Sequence, residues 1–213
     1  MIITVLGATG SVGRRIVNEA VGRGHQITAV LRDLAAGVDM PEGVELVSGD
    51  VNNVDDVRRL SEGQDLVIAA IRPPEGEEKA LVEMTRNLLD GVIASGVRVI
   101  ISGGAGGLFS PDKPGVLLID DPRFVGEAWR DIAVACVEQL QLCKNEQRAD
   151  WTYVCPSAYL QDGERTGVFR LGHDTALIDA DGASKISIQD LAVAIVDEAE
   201  RPQFRQRHFT VGY

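Results

Sequence analysis

TVLGATGSVGRRIV, residues 4–17, runs from an apolar stretch through three glycines into a segment of helical period. Its reading decides the fold. Gly7, Gly10 and Gly13 are spaced as GxxGxxG, directly after IITVL (2–6). Each glycine answers a separate need: a tight strand-to-helix turn, close approach of backbone to a pyrophosphate, and packing of helix on sheet. The helix N-terminus behind them offers N–H groups and a favourable dipole to phosphate. Ser11 is expected to cap that helix, which runs to about Val21 before Gly22 and Gly24 close it. A glycine triplet alone is a weak signal, but at the turn of a βαβ unit it predicts a dinucleotide's phosphate site. Gly7, Thr9, Gly10, Ser11, Val12 and Gly13 form that expected cradle.

The rest of the chain alternates in the same sense. Short apolar runs stand at 2–6, 26–31, 44–48, 65–70, 97–102 and 151–155. Most are continuously apolar, as parallel strands covered on both faces must be. Between them, Leu81, Met84, Leu88 and Val92 share one face of a helix over roughly 76–95. Trp129, Ala133, Cys136, Leu140 and Cys143 form a second stripe, expected to be core. Further runs at 168–171 and 175–178, a helix near 188–199 and a strand near 207–211 follow. The expected fold is α/β: a doubly wound parallel sheet in one domain, residues 1–213, with a small C-terminal elaboration on the substrate side.

Composition bounds the partners. The chain has 213 residues, 45% hydrophobic and 25% charged, enough for one real core. A net charge of −11 disfavours phosphate backbones and anionic membranes, so neither nucleic acid nor membrane is an expected partner, and a small-molecule acceptor is. Three cysteines without CxxC pairing, no basic leader before IITVL and no bilayer-length apolar run give the expectation of a reduced, cytoplasmic protein. His25, His173 and His208 show no metal-ligand spacing, and no metal is expected.

Ligands in such sheets sit beyond the carboxyl ends of the strands, which nominates the rest of the site. VLRD (30–33) places Arg32 where an NAD site carries an acid, and a guanidinium suits a 2′-phosphate. NADP is therefore expected over NAD, unless Asp33 faces the ribose instead; Arg14 or Arg15 is placed to assist. Asp50 and Val51 are expected at the adenine. Ala70, Ile71 and Arg72 stand at the end of the fourth run, Ser102 and Gly103 at the end of the fifth, and Pro156, Ser157 and Ala158 follow the sixth. The last two groups should flank the nicotinamide. Ser102 is a candidate hydrogen-bond donor to the reacting groups, and Tyr159 a candidate to stack on substrate or donate a proton. His173 is a weaker candidate for proton transfer. The segment 110–124 reads as a substrate-side loop, with Asp120 and Asp121 as solvated turn carboxylates.

GATGSVG, ISGGAGGL, DWTYVCPSAYL, ERTGVFRLG and ISIQDLAVAIVDEAERPQFRQRHFTVGY together resemble an atypical short-chain dehydrogenase/reductase, of the branch described as candidate NADH-flavin reductases. NmrA-like proteins and flavin/biliverdin reductases are its wider relatives. Gly107 departs from the serine that the branch suggests. The resemblance implies a nucleotide-binding Rossmann domain. Standard members of the superfamily reduce carbonyls with a Tyr-xxx-Lys pair, yet Ser157 and Gly163 stand four residues after Tyr153 and Tyr159, and Tyr213 is the last residue. Hydride delivered to a ketone leaves an alkoxide that needs an acid, whereas a flavin or quinone takes hydride into a delocalised ring. The expected function is thus an NAD(P)H-dependent oxidoreductase with a flat acceptor, flavin being a possible substrate. A non-enzymatic NADP(H) sensor is the alternative, and a sugar-nucleotide epimerase or dehydratase a weaker one.

Overall fold

Aliphatic runs that no polar residue interrupts are stable in a sheet only when helices cover both of its faces. The computed structural model, which describes residues 1–34 and 39–213, has that arrangement. In chain order the elements are β1 (Ile2–Leu6), α1 (Ser11–Gly22), β2 (Gln26–Leu31), β3 (Glu45–Ser48), α2 (Val54–Ser61), β4 (Leu66–Ala69), α3 (Ala80–Ser95) and β5 (Val99–Ser102). There follow α4 (Arg130–Asn145), β6 (Trp151–Pro156), β7 (Tyr159–Gln161), β8 (Arg170–Gly172), β9 (Lys185–Ser187), α5 (Ile188–Glu200) and β10 (Arg207–Gly212).

The main sheet has eight strands in the order β3-β2-β1-β4-β5-β6-β10-β8. All neighbours are parallel except β8, which pairs antiparallel with β10. This is the doubly wound, Rossmann-like sheet expected. The direction of strand succession reverses between β1 and β4, which opens a crevice at their carboxyl ends.

Side chains alternate across the sheet and fill two cores. Val67, Ala69, Val99, Ile101, Tyr153 and Cys155 join the layer of α2, α3 and α4. Ile3, Val5, Leu66, Ile68, Ile100 and Val154 join that of α1 and α5. The C-terminal residues do more than elaborate the substrate side. β7 and β9 pair in parallel as a small second sheet there, but α5 packs against α1 and β10 extends the main sheet. β7 and β9 are three residues each, too short for periodicity to reveal.

Two local expectations are corrected. Ser11 is the first helical residue and makes no capping bond; Gly10, extended at φ −70° and ψ 165°, holds the cap position. Trp129 is not core: it ends a short 3-10 turn ahead of α4 and is 60% exposed. Its spacing suits the stripe, but the helix proper starts at Arg130. Cys143 is buried and Cys136 half-buried, and burial pushes their thiols up to about 12 and about 11. Among the described residues, no helix is long and apolar enough to cross a membrane.

Candidate functional site

Gly7 follows β1 directly with φ +77°, and a Cβ there would lie 2.3 Å from the Ala70 carbonyl oxygen. A Cβ on Gly13 would lie 2.1 Å from the Gly7 carbonyl oxygen. At Gly10 the nearest atom would be 3.4 Å away, so protein packing leaves that position open. Gly7 thus answers the need for a tight turn and Gly13 that for close packing at the helix start, while Gly10 has space beside it. α1 carries no side-chain cap and no acid in its first turn. Its first N–H groups, which no helix can satisfy internally, are available to an anion. Thr9 and Ser11 are exposed beside them and Val12 is half-buried. Arg14 Nε donates to the Thr9 carbonyl at 3.3 Å, bracing the loop, whereas Arg15 turns away to Asp162 at 2.6 Å.

Arg32 stands exposed just past β2, with no ion pair among the described residues. Asp50 Oδ1 accepts from the Asn52 backbone N–H and side-chain amide, and Val51 is buried. Ala70 donates its N–H to Leu6, next to buried Ile71. Arg72 is exposed, its guanidinium 5.5 Å from the centre of the Trp129 ring.

Ser102 ends β5 half-buried, its hydroxyl free of hydrogen bonds among the described residues. The Tyr153 ring fixes the glycine beside it: a Cβ on Gly103 would lie 1.8 Å from that ring. The Tyr153 hydroxyl accepts from the Gly104 N–H at 3.2 Å and donates to Gln139 Oε1 at 3.0 Å. Gln139 Nε2 in turn donates to Thr85 Oγ1. This buried chain, which sequence reading missed, braces the loop after Ser102 against α3 and α4. Burial drives the Tyr153 phenol well above its usual pKa, so it keeps its proton.

Beyond β6, Pro156 and Ser157 are buried and Ala158 half-buried. The Ser157 hydroxyl donates to the Val211 carbonyl at 2.9 Å, which ties the loop to β10. Tyr159 is half-exposed, and its hydroxyl donates to the Arg123 carbonyl at 2.8 Å. That bond engages its proton and leaves the ring as its free surface. His173 lies away from this group. It packs edge-on against Phe204, ahead of β10 and toward the amino ends of the strands, so the expected proton-transfer role has no geometry behind it.

The substrate-side segment departs most from expectation. Asp121 is fully buried rather than solvated. It accepts from Ser110 Oγ at 2.9 Å, Lys113 Nζ at 3.2 Å and Arg123 Nη2 at 2.7 Å. Arg123 also pairs with Asp112 and holds it down at about 2, and it depresses Asp121 further. Both carboxylates support the folded loop at neutral pH, and that support is lost as pH falls through their depressed values. Asp121→Asn should loosen residues 110–124, read as faster tryptic cleavage after Arg123 at neutral pH. An unchanged digestion rate would show that the ion cluster does not hold the loop.

The NAD(P)H-binding family profile matches residues 7–202. The chain is 33% identical over 215 residues to the uncharacterized protein YwnB of Bacillus subtilis (strain 168), covering 99% of this chain and 98% of that one. It superposes with TM-score 0.90 on a candidate epimerase from Bacteroides thetaiotaomicron, at 36% identity over 100% of this chain and 96% of that one. A candidate NADH-flavin reductase from Streptococcus pneumoniae gives TM-score 0.88 at 27% identity, over 100% and 99% of the two chains.

Proposed function

This chain belongs to the NAD(P)H-binding family, and from that premise we propose that it is an NADPH-preferring reductase of a flat acceptor, a free flavin or a quinone. The observation that carries this reading is the state of the tyrosines around the cleft. Tyr153 is buried and locked between Gly104 and Gln139, and the Tyr159 hydroxyl donates its hydrogen bond to a backbone carbonyl. Neither stands ready to protonate an alkoxide. An acceptor whose reduced ring is a weak base needs no such acid, and water completes the protonation.

The residues fit a dinucleotide. Gly7 and Gly13 shape a loop with no room for a Cβ, Gly10 leaves room for phosphate, and the uncapped α1 supplies donors. A reduced nicotinamide at the carboxyl ends of β4, β5 and β6 would supply hydride. Gly7, Thr9, Gly10, Ser11, Val12 and Gly13 would bind the pyrophosphate and Arg32 the 2′-phosphate. Asp50 and Val51 would line the adenine and Ala70 and Ile71 the ribose, Val51 and Ile71 from beneath, with Arg72 farther along the loop on the acceptor side. The Ser102 hydroxyl, Gly103 and the backbone of Pro156 to Ala158 would orient the ring. Tyr159 would offer the acceptor a face.

The reading is tested by following reduced-nicotinamide absorbance with NADPH or NADH against FMN, riboflavin and a simple quinone. Enzyme-dependent oxidation well above the uncatalysed rate supports it. Bound nicotinamide without turnover would replace it with a sensor, and turnover of a sugar nucleotide with an epimerase. Arg32→Glu should weaken NADPH binding roughly ten- to a hundredfold, the scale of a lost charge-assisted hydrogen bond, and leave NADH nearly unchanged. Equal weakening of both would remove the 2′-phosphate assignment.

A further inference from the structure

The indole of Trp129 is out of place by the rule that keeps large aromatics inside. Of the chain's two tryptophans, Trp151 is 2% exposed and Trp129 60%. Its position in the fold is specific. α4 runs back from the carboxyl ends of the strands to the start of β6, so the turn Glu127–Trp129 ahead of it lies at the cofactor end of the sheet. The glycine loop that follows Ser102 lies along the first turns of α4. A Cβ on Gly104 would meet Cys136 at 2.8 Å, and one on Gly106 would meet the Ala133 carbonyl at 3.2 Å. Trp129 therefore stands just beyond the loop assigned to the nicotinamide.

The ring is also held. Arg72, on the loop leaving β4, sets its guanidinium 5.5 Å from the ring centre. The Trp129 N–H of the backbone donates to Gly126 at 3.0 Å. The next residue, Arg130, donates to the Ile119 carbonyl at 2.9 Å and ties the turn to the substrate-side segment. An exposed indole on a tethered turn between two site loops has the form of a stacking platform.

We propose that Trp129 is the residue on which the acceptor's ring stacks, and that it sets the preference for flat, electron-poor acceptors. The proposal rests on the reductase reading and names its acceptor subsite. Indole is electron-rich, while an oxidised isoalloxazine or quinone is electron-poor, so face-to-face contact is favourable. Arg72 beside it adds positive charge, which suits a ring that becomes anionic as it is reduced.

Two measurements test it. In the first, riboflavin is titrated into the NADP-loaded protein while tryptophan emission is followed, corrected for inner-filter absorption. Saturable quenching is expected in the wild type, and Trp129→Phe, which keeps only buried Trp151, should lose most of its amplitude. In the second, Trp129→Ala should raise the riboflavin KM at least tenfold with kcat within about threefold, and Trp129→Phe should restore most of the loss. NADPH affinity should stay unchanged in both variants, which a general folding defect would not allow. An unchanged KM in Trp129→Ala, or quenching of undiminished amplitude in Trp129→Phe, overturns the proposal and leaves the reductase reading standing. Absence of turnover in the wild type defeats that reading, and the quenching titration then decides the role of Trp129 by itself.

Discussion

Gly7→Ala should abolish dinucleotide binding and weaken the fold in the same step. The backbone at Gly7 has φ +77°, a conformation that costs an L residue about 1–2 kcal/mol. The new methyl would also lie 2.3 Å from the carbonyl oxygen of Ala70 and 2.8 Å from its carbon. That carbonyl cannot swing aside freely, because the Ala70 N–H is bonded to Leu6 at 2.9 Å and β1 pairs with β4 through Leu6 and Ala69. Relief requires the two central strands to part at the crevice, with an overpacking cost of about 1–3 kcal/mol. A fall in Tm of roughly 5–15 °C follows for a domain of this size. Binding of NADPH, read by nicotinamide fluorescence, should fall more than about a hundredfold, since the phosphate loop springs from Gly7. Gly10→Ala separates the two effects. Its Cβ meets nothing closer than 3.4 Å, so Tm should hold while the methyl obstructs the phosphate and binding is lost. Wild-type melting and binding in Gly7→Ala would refute the steric account.

The largest purely structural effect is expected at Arg98 and Glu198. Both are buried, at 8% and 3% exposure, with Arg98 Nη2 2.5 Å from Glu198 Oε1. Arg98 also donates to Thr152 Oγ1 at 2.9 Å and to the Glu198 carbonyl at 3.2 Å. Glu198 accepts the backbone N–H groups of Gln203 and Phe204, which turns the chain from α5 toward β10. Glu198→Gln leaves a guanidinium in the interior without its counter-charge, a loss of about 3–5 kcal/mol. Urea denaturation should show it directly. The pair sits at the amino ends of β5 and β6, opposite the crevice, so NADPH affinity of the folded variant should be unchanged. Arg98→Met with Glu198→Leu should recover part of the loss, because a buried pair is often matched by apolar residues of similar volume. The recovery stays partial, as Gln203 and Phe204 lose their acceptor. If Glu198→Gln costs less than about 1 kcal/mol, solvent reaches the pair and the burial argument fails.

What the sequence by itself determined follows from short-range rules. GATGSVG carries glycine at 7, 10 and 13, the spacing of a strand-to-helix turn over phosphate, and the apolar runs are best satisfied in a sheet covered on both faces. That Ser157 and Gly163, not lysines, stand four residues beyond Tyr153 and Tyr159 was legible in the same way. Periodicity reached its limit at Trp129, where the spacing continues a buried stripe but the helix itself begins one residue later. No local rule says where α4 stops supplying a covered face.

Tertiary structure decided what each polar group spends its hydrogen bonds on. Asp121 reads as a turn carboxylate until Ser110, Lys113 and Arg123 converge on it. Ser157 reads as a site hydroxyl until β10 arrives, 54 residues later in the chain, to take its proton. Tyr153 reads as a strand residue until α4 and the glycine loop close around its hydroxyl. A carboxylate or hydroxyl is buried or free according to partners that only folding brings near, and the free energy of leaving such a group unpaired is what fixes its place.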